Sequence, residues 1–260
     1  MSKLLTDKKL FFLDQDGTLY NGDTLFPETI PFLERIKKNG GRYVFVTNNT
    51  SKSVNDYINK LSNFGINAAK EDFFTATEAT IIYLRENYPD AKIFVVGTKS
   101  FGDALIHAGF NLTEDIEAAT LALLAYDTSL TYEKLVKLSK LLTLKDVPYI
   151  ATNPDLVCPI EFGFVPDCGS FAIMIENATG KKPFVIGKPR KAFFELALKK
   201  YNYASEDAVV IGDRLYTDIL GANNADITSV CVLSGESTLE DIENSSYKPN
   251  LVVNNIGDLL

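Results

Sequence analysis

The feature that most constrains this chain is an alternation of short, continuously apolar runs with amphipathic stretches of helical length. Each run has the length of a β-strand and is rich in residues that favour strands. The runs lie at Leu10–Leu13, Tyr43–Thr47, Ile93–Val96, Leu121–Ala125, Tyr149–Ala151, Phe184–Ile186, Val209–Ile211 and Ser229–Leu233. The helical patterns cover Thr29–Asn39, Ser53–Phe64, Thr77–Asn87, Phe101–His107, Tyr132–Leu142, Lys191–Lys200 and Leu215–Asn223. Because strands that are apolar at every position are typical of parallel sheets covered on both faces, the pattern predicts an α/β fold.

Charge and composition exclude several kinds of partner. The 260 residues carry a formal net charge of -8, and 46% of them are hydrophobic, which is enough for a sizeable core. An acidic surface repels nucleic acid and anionic lipid, so we expect neither a nucleic acid polymer nor a membrane as a partner. The sequence shows no long apolar segment typical of a signal peptide or a membrane span, and we therefore expect a cytoplasmic protein.

The few histidines and cysteines argue against a histidine-rich metal cluster and against a zinc site. His107 is the only histidine, which excludes a histidine-rich metal cluster, and it stands at the expected end of a helix. The cysteines are Cys158, Cys168 and Cys231, an odd number without the spacing of a zinc site. We expect reduced thiols that pack in the interior.

The first candidate site follows the apolar run that ends at Leu13, in an Asp-Gln-Asp-Gly segment over residues 14–17. Because side chains alternate along an extended chain, Asp14 and Asp16 point to the same side, within reach of one ligand. Two acids at the end of a buried strand suggest a function, since buried charge is costly, and Gly17 allows a sharp turn close to a ligand. Taken alone, the segment fits a strand-end turn equally well.

Two further strand ends carry groups that can bind anions. The run that ends at Thr47 continues into Asn48 and other polar residues before a helix, and hydroxyls, amides and a helix N-terminus can hold an anion. After the apolar run 184–186, Lys188 precedes Pro189 at the expected start of a helix and could hold a phosphate oxygen. Alone, these segments have ordinary explanations as an N-cap loop and a solvated lysine.

A fourth strand end carries two more acids. Asp213 follows Gly212 at the end of an apolar run, and Asp218 comes about one helical turn later. Carboxylates at a strand-to-helix turn suit a hard cation such as Mg²⁺, although Asp213 or Thr217 could instead only cap the helix. All four segments lie where a parallel strand is expected to end, which is the side of an open α/β sheet on which ligands bind. Together they provide a set of groups sufficient for phosphoryl transfer without histidine.

These four segments, in this order, resemble those of the haloacid dehalogenase (HAD) superfamily of phosphatases. The resemblance covers residues 8–75 and 183–260, and the segment between them, with Asn153-Pro154-Asp155, resembles the cap domain of the NagD-like, p-nitrophenylphosphatase branch (subfamily IIA). It implies a Rossmann-like core, built on a doubly wound parallel sheet, with an inserted smaller α/β cap domain. The expected boundaries are 1–78 and 183–260 for the core and 79–182 for the cap.

The resemblance also implies a role for the acidic residues. Asp14 is the expected nucleophile, and Asp16 is expected to protonate the leaving oxygen and later to activate water. Mg²⁺ is expected between Asp14, the backbone carbonyl of Asp16 and Asp213, with Asp218 fixing its water shell. Since a halide leaving group needs no proton, the presence of Asp16 favours a phosphatase over a dehalogenase.

The remaining roles concern binding. Thr47 and Lys188 are expected to hold the transferring phosphoryl group, with Asn48 in support. Gln15 stands where the family usually has an apolar residue. By alternation its side chain points away from the two acids, so we expect it to affect packing rather than chemistry.

The sequence therefore predicts a Mg²⁺-dependent phosphatase that hydrolyses a small phosphomonoester, such as a nucleotide or a sugar phosphate, through an aspartyl-phosphate intermediate. The cap residues Asn153, Asp155 and Glu161 are expected to contact the leaving group. Two alternatives stay open, a phosphotransferase or mutase on the same core and a catalytically silent phosphate-binding protein. The resemblance also allows a homodimer that forms through the cap.

Overall fold

The computed structural model describes residues 3–160 and 162–260. The strands are β1 Leu10–Leu13, β2 Tyr20–Asn21, β3 Thr24–Leu25, β4 Arg42–Thr47, β5 Phe73–Thr75, β6 Lys92–Val96, β7 Asn111–Leu112, β8 Leu121–Leu124, β9 Tyr149–Ala151, β10 Val157–Ile160, β11 Gly163–Pro166, β12 Phe184–Val185, β13 Ala208–Gly212, β14 Thr228–Val232 and β15 Leu251–Val253. The α-helices are α1 Thr29–Lys38, α2 Val54–Asn63, α3 Ala76–Asn87, α4 Lys99–His107, α5 Tyr132–Leu144, α6 Cys168–Thr179, α7 Lys191–Tyr201, α8 Leu220–Asn224 and α9 Leu239–Asn244. A π-helical turn, Leu215–Ile219, precedes α8.

The chain divides into two compact units. The first comprises Met1–Thr47, Ile58–Phe74 and Lys188–Leu260, and the second comprises Asn48–Tyr57 and Thr75–Gly187. The expected cap, residues 79–182, thus lies inside the second unit. Residues 48–57, 75–78 and 183–187 were expected in the core and instead group with the second unit.

The first unit is built on a six-stranded sheet in the order β15-β14-β13-β1-β4-β5. Strand β1 is buried at all four positions and pairs in parallel with β4 on one side and β13 on the other. The chain therefore leaves β1 first toward one edge of the sheet and later toward the other. This reversal of strand order creates a crevice at the carboxyl end of β1, the kind of switch point at which open α/β sheets bind ligands.

The second unit has its own five-stranded parallel sheet, in the order β12-β9-β8-β6-β7, and an antiparallel hairpin of β10 and β11. Strand β8 is apolar and fully buried at the centre of this sheet. Helices α5 and α6 contribute Leu138, Leu141, Phe171 and Ile175 to the core beside it. The α/β class and the two sheets agree with the sequence-based prediction of a Rossmann-like fold with an α/β insert.

Several predicted elements differ from the observed ones. The pattern over Leu215–Asn223 predicted one helix, whereas the chain forms a π-helical turn and then α8. Helix α6 and the β10–β11 hairpin were not predicted. Helix α4 ends at His107 as expected, and the ring nitrogen Nδ1 lies 3.0 Å from the Asp103 carbonyl oxygen of the preceding turn.

Two of the three cysteines lie in the interior, as expected. All three cysteines are free thiols, and Cys168 and Cys231 are buried. Among the described residues, none of the helices combines the length and the apolar character needed to cross a bilayer.

Candidate active site

The carboxyl ends of three adjacent strands define the candidate site. Asp14 directly follows β1, Thr47 ends β4 and Asp213 directly follows β13. The register aligns Leu13 with both Phe45 and Ile211, so these strands end at the same edge of the sheet. The Asp14 amide donates a hydrogen bond of 2.9 Å to the Ile211 carbonyl, which fixes the first residue after β1. The four predicted strand ends thus include three that the sheet places side by side, whereas the run before Lys188 forms β12 in the sheet of the second unit.

Lys188 joins the acids at this edge of the sheet. Its ammonium donates to Asp14 Oδ1 at 2.8 Å and to Asp218 Oδ1 at 2.6 Å, and both Lys188 and Asp218 are buried. Burial alone would lower the pKa of Lys188, but the charges of Asp14 and Asp218 outweigh it and raise the pKa above its ordinary value. Lys188 therefore stays a cation whose charge two carboxylates share.

Three carboxylates converge beside this lysine. Asp14, Asp213 and Asp218 each place an oxygen within 4.8 Å of the others. Burial, followed by the charges of Asp14 and Asp218, raises the pKa of Asp213 to about 8. Burial and the Asp14 charge also raise the pKa of Asp218, against the opposing effect of Lys188. The cluster therefore carries more negative charge than its protein neighbours neutralise.

The loop after β14 holds one oxygen of this cluster in place. The Glu236 amide donates to Asp213 Oδ2 at 2.7 Å, while Asp213 Oδ1 is buried and has no hydrogen-bond partner among the described residues. Gly17, at φ +82°, and Gly235 pack so closely on the Asp213 carboxylate that a Cβ at either position would overlap it. The backbone thus surrounds the carboxylate without filling the space beside its second oxygen.

This arrangement fits a divalent cation. Mg²⁺ prefers oxygen ligands, is usually bound by one or two carboxylates and keeps several waters. Asp14 and Asp213 supply the carboxylates, and the unpartnered Oδ1 of Asp213 is a polar atom that needs a partner. Excess negative charge in a buried cluster is relieved by a cation of this kind.

Asp16 has a different environment from the three clustered acids. It is partly buried, and its Oδ1 accepts a weak hydrogen bond of 3.4 Å from the Gly22 amide. Burial raises the pKa of Asp16 and the Asp14 charge adds to this, while the Gly22 amide and the Lys60 ammonium oppose it. A carboxyl with a raised pKa holds its proton at a higher pH, as a general acid requires.

Gln15, between the two acids, is buried. Its Oε1 accepts from the Tyr20 hydroxyl at 3.3 Å, and its Nε2 has no partner among the described residues. These contacts are with the turn that follows β1, in keeping with the expected effect on packing.

The sequence reasoning missed a second cation and the loop that holds it. The Arg214 guanidinium forms an ion pair of 2.9 Å with the Glu236 carboxylate. That carboxylate also accepts a hydrogen bond of 3.3 Å from the Tyr216 hydroxyl. The charge of Arg214 lowers the pKa of Asp16, Asp213 and Asp218. The sequence did contain a signal for this loop, because Ser234-Gly235-Glu236 follows an apolar run just as the other site segments do.

The remaining predicted residues belong to the second unit. Asn48 Nδ2 donates to Asp155 Oδ2 at 2.8 Å, and Asn153 Nδ2 donates to the same oxygen at 2.9 Å. Asn48, Asn153 and Asp155 are all buried. Glu161 lies outside the described residues. The expectation that these cap residues contact a leaving group stays a prediction.

Comparisons with known proteins show the family of the chain. Residues 11–111 match the model of the haloacid dehalogenase-like hydrolases, and residues 185–259 match a HAD-hydrolase-like model. The chain is 31% identical to the 5'-nucleotidase YutF of Bacillus subtilis, over 95% of this chain and 96% of the relative. It is also 31% identical to an acid sugar phosphatase of Staphylococcus aureus, over 93% and 92% of the two chains.

Comparison with solved structures finds phosphatases with the same fold over nearly the whole chain. A 4-nitrophenylphosphatase from Thermotoga maritima matches with a TM-score of 0.93 and 39% identity, over 98% of this chain and 97% of that one. NagD from E. coli matches with a TM-score of 0.88 and 30% identity, over 96% and 98%. A glycerol phosphate phosphatase from Mycobacterium tuberculosis, solved with magnesium, matches with a TM-score of 0.91 and 26% identity, over 100% of this chain and 78% of that one.

The fold, the site and these matches establish that the chain belongs to the haloacid dehalogenase-like hydrolases. Within that family it is a phosphoric monoester hydrolase of the NagD-like, p-nitrophenylphosphatase branch. The predicted family and enzyme class are thus confirmed.

Proposed function

We propose that this protein hydrolyses a small organic phosphomonoester through an aspartyl-phosphate on Asp14, with Mg²⁺ as cofactor. The observation that carries the proposal is the contact of the Lys188 ammonium with Asp14, beside three converging carboxylates at the switch point of the sheet. A carboxylate can attack an anionic phosphate ester only where cations neutralise both. Lys188 supplies one such charge, and the cluster can bind another.

In the proposed reaction Asp14 is the nucleophile, and Asp16 is the general acid and later the general base. An Asp14 oxygen attacks phosphorus, and the bond from phosphorus to the ester oxygen breaks with its electron pair on that oxygen. Protonated Asp16 gives its proton to the leaving oxygen. Asp16, now a carboxylate, then takes a proton from water as the water attacks the phosphorus, which releases inorganic phosphate and restores Asp14.

Binding groups complete this assignment. We assign Thr47 and Lys188 to the non-reacting oxygens of the phosphoryl group, with Asn48 in support. Asp14, the backbone carbonyl of Asp16 and Asp213 would hold Mg²⁺, and Asp218 would fix its waters. When bound, the metal neutralises charge that develops on the phosphoryl oxygens.

The names of the relatives suggest the class of substrate. They include a 5'-nucleotidase, an acid sugar phosphatase, a 4-nitrophenylphosphatase and a glycerol phosphate phosphatase. These activities share a phosphomonoester and differ in the leaving group. We therefore propose a small phosphomonoester without choosing one leaving group. The cytoplasmic location and the homodimer stay predictions.

The test is phosphate release from p-nitrophenyl phosphate, a nucleoside monophosphate, a sugar phosphate and glycerol phosphate, each with Mg²⁺ and with EDTA. We expect turnover that needs Mg²⁺ and disappears in Asp14→Asn, which keeps the shape but removes the nucleophile. A phosphorylated acceptor in place of free phosphate would show a phosphotransferase instead. Absence of turnover on the whole panel by folded protein would contradict the proposed substrate class.

A further inference from the structure

The chain passes between its two units at four points, and two of these lie next to a residue that we assign to phosphate binding. The first of the two is from Thr47 to Asn48, and the second is from Gly187 to Lys188. Asn48 and Gly187 themselves belong to the second unit. Any contact that fixes these two residues also restrains the backbone of Thr47 and Lys188, because a peptide bond joins each pair.

A short segment of the second unit, residues 151–155, fixes Asn48 at the first of these passages. Asp155 Oδ2 accepts from Asn48 Nδ2 at 2.8 Å and from Asn153 Nδ2 at 2.9 Å. Asn153 Nδ2 also donates to Asp167 Oδ1 at 3.1 Å, which anchors this segment to the start of α6. All of these side chains are buried, where hydrogen bonds are strong and an unmade bond is costly.

The same segment also fixes Gly187 at the second of these passages. The Gly187 amide donates to the Thr152 carbonyl at 2.8 Å, and the Ile186 amide donates to the Ala151 carbonyl at 3.1 Å. A Cβ at Gly187 would lie 2.6 Å from Asn48 Oδ1 and 2.7 Å from the Thr152 carbonyl oxygen. The Asn48 side chain therefore packs directly against the backbone of Gly187, and no larger residue fits between them.

We propose that Asp155 is a positioning residue for phosphate binding, which holds the Asn48 side chain against Gly187 and so fixes the backbone beside Thr47 and Lys188. This inference rests on the proposed function, since it takes Thr47 and Lys188 to be the phosphate-binding residues. It gives Asp155 a different role from a contact with the leaving group. A residue that acts through the phosphate site should affect all substrates equally, because they share the phosphoryl group.

The test compares Asp155→Ala with Asp155→Asn on the substrate panel and measures inhibition by inorganic phosphate. Asp155→Ala should lower kcat/KM by roughly 10- to 100-fold, as small displacements of binding groups do. The loss should be similar for every leaving group, and inorganic phosphate should bind more weakly by a similar factor. Asp155→Asn should recover most of the loss, because its amide oxygen can accept from both Asn48 and Asn153, while its NH₂ takes the place of Oδ1, which has no partner among the described residues.

Asp127→Ala is the matched control. Asp127 is equally buried in the second unit, where it accepts from Ser129 and from Lys134 at 2.6 Å. Its removal should lower stability and leave kcat/KM close to that of the wild type. If Asp155→Ala does not fold, Gly187→Ala replaces it, because the added methyl group disturbs the contacts of Gly187 with Asn48 and with the Thr152 carbonyl without removing a polar group. Gly187→Ala should show the same uniform loss.

Several outcomes would overturn the inference. A loss that depends on the leaving group would show that Asp155 contacts the substrate, and folded Asp155→Ala with wild-type kinetics would show that it positions nothing. Failure of the wild type to hydrolyse any substrate would contradict the proposed function instead. In that case calorimetric titration with inorganic phosphate and Mg²⁺ still separates wild type from Asp155→Ala, and equal affinity would overturn the inference.

Discussion

Asp213 in the first unit and Asp155 in the second are both buried carboxylates with one oxygen that lacks a partner among the described residues. Their neighbours differ. Asp213 lies near two further carboxylates, Asp14 and Asp218, while the second oxygen of Asp155 accepts from two amide groups. The carboxylates of the first unit therefore repel one another, which a cation would relieve, whereas in the second unit two side-chain amides donate to the Asp155 carboxylate.

The comparison shows that burial and polarity alone do not mark a reactive site. What distinguishes the first unit is a local excess of like charge, which costs stability and is kept only where something compensates for it. In the second unit each amide donor of Asn153 and Asn48 meets a carboxylate oxygen, so the same residue types serve to fix the backbone. Three predictions test this difference, and a fourth concerns Asp16 within the first unit.

The largest effect is expected from Lys188→Ala. It leaves Asp14 and Asp218 without the cation that both contact, and the loss of one partner from a buried ion pair costs about 3–5 kcal/mol. Activity should fall by roughly 10³-fold or more, as it does when a group that stabilises transition-state charge is removed. Denaturant unfolding and steady-state kinetics measure the two losses.

Lys134→Ala provides the comparison from the second unit. Lys134 contacts the buried Asp127 at 2.6 Å, but a third of its side chain is exposed to solvent. We expect a smaller loss of stability, about 1–2 kcal/mol, since water can replace an exposed partner. A loss of activity as large as that of Lys188→Ala would remove the proposed difference between the two units.

A second prediction compares two glycines of similar backbone conformation. Gly17, at φ +82°, lies against the Asp213 carboxylate, whereas Gly109, at φ +91°, has nothing near its Cβ position. Substitution by alanine should cost about 1–2 kcal/mol at Gly109, because a side chain is strained at positive φ, and more at Gly17, where the added Cβ would also overlap the Asp213 carboxylate. Only Gly17→Ala should also weaken activation by Mg²⁺, which a titration of activity with Mg²⁺ measures. If Mg²⁺ activates the two variants equally, Gly17 does not influence metal binding by the acidic cluster.

The sequence predicted much of the candidate site, because its residues lie at strand ends. Buried parallel strands read as continuous apolar runs, and polar residues directly after such runs are conspicuous. That rule identified Asp14, Thr47 and Asp213. It could not show that Glu236 holds Asp213, since the contact joins residues far apart in the chain and depends on the order of β13 and β14 in the sheet.

Helix α6 escaped prediction for a related reason. Its sequence is apolar around most of its circumference and begins with Cys168 and Gly169, so it shows neither an amphipathic period nor strong helix formers at its start. Gly169 packs so closely on the Pro154 carbonyl that a Cβ would overlap it. The helix is specified by tertiary packing, which local sequence patterns do not contain.

A third prediction concerns stability in the absence of metal. Since the pKa of Asp213 is raised to about 8 in the folded chain, the folded state binds this proton more tightly than the unfolded state does. The contribution of this group to stability is therefore complete below about pH 4 and is lost as the pH rises toward about 8. Asp213→Asn should remove this loss, which amounts to at most about 1.4 kcal/mol per pH unit.

In EDTA, Asp213→Asn should thus be more stable than the wild type at neutral pH, with an advantage that shrinks toward pH 4. Added Mg²⁺ should reverse the order, because only the wild type keeps the full set of carboxylates. Asp155→Asn should be slightly less stable than the wild type under the same conditions, since a neutral oxygen accepts more weakly from its two amides. Thermal melts over this range of pH, with and without Mg²⁺, would show whether the two acids differ in this way.

The smallest effect is expected from Lys60→Met. The Lys60 ammonium lies 4.1 Å from the centre of the Tyr20 ring and lowers the pKa of Asp16. Removal of this cation should raise the pKa of Asp16, so the fall in kcat/KM with loss of the Asp16 proton should move slightly to higher pH. The shift should decrease at high salt, because charges near the surface are screened.

Lys37→Met is the matched control, because Lys37 also lies over a tyrosine ring of the first unit, 4.8 Å from the centre of Tyr43. The charges that shift the pKa of Asp16 are those of Lys60, Asp14 and Arg214. Its removal should leave the pH profile of kcat/KM unchanged, although both variants lose a similar cation–π contact. An equal shift in the two variants would mean that general loss of positive charge moves the profile, and that Lys60 has no specific influence on the proton of Asp16.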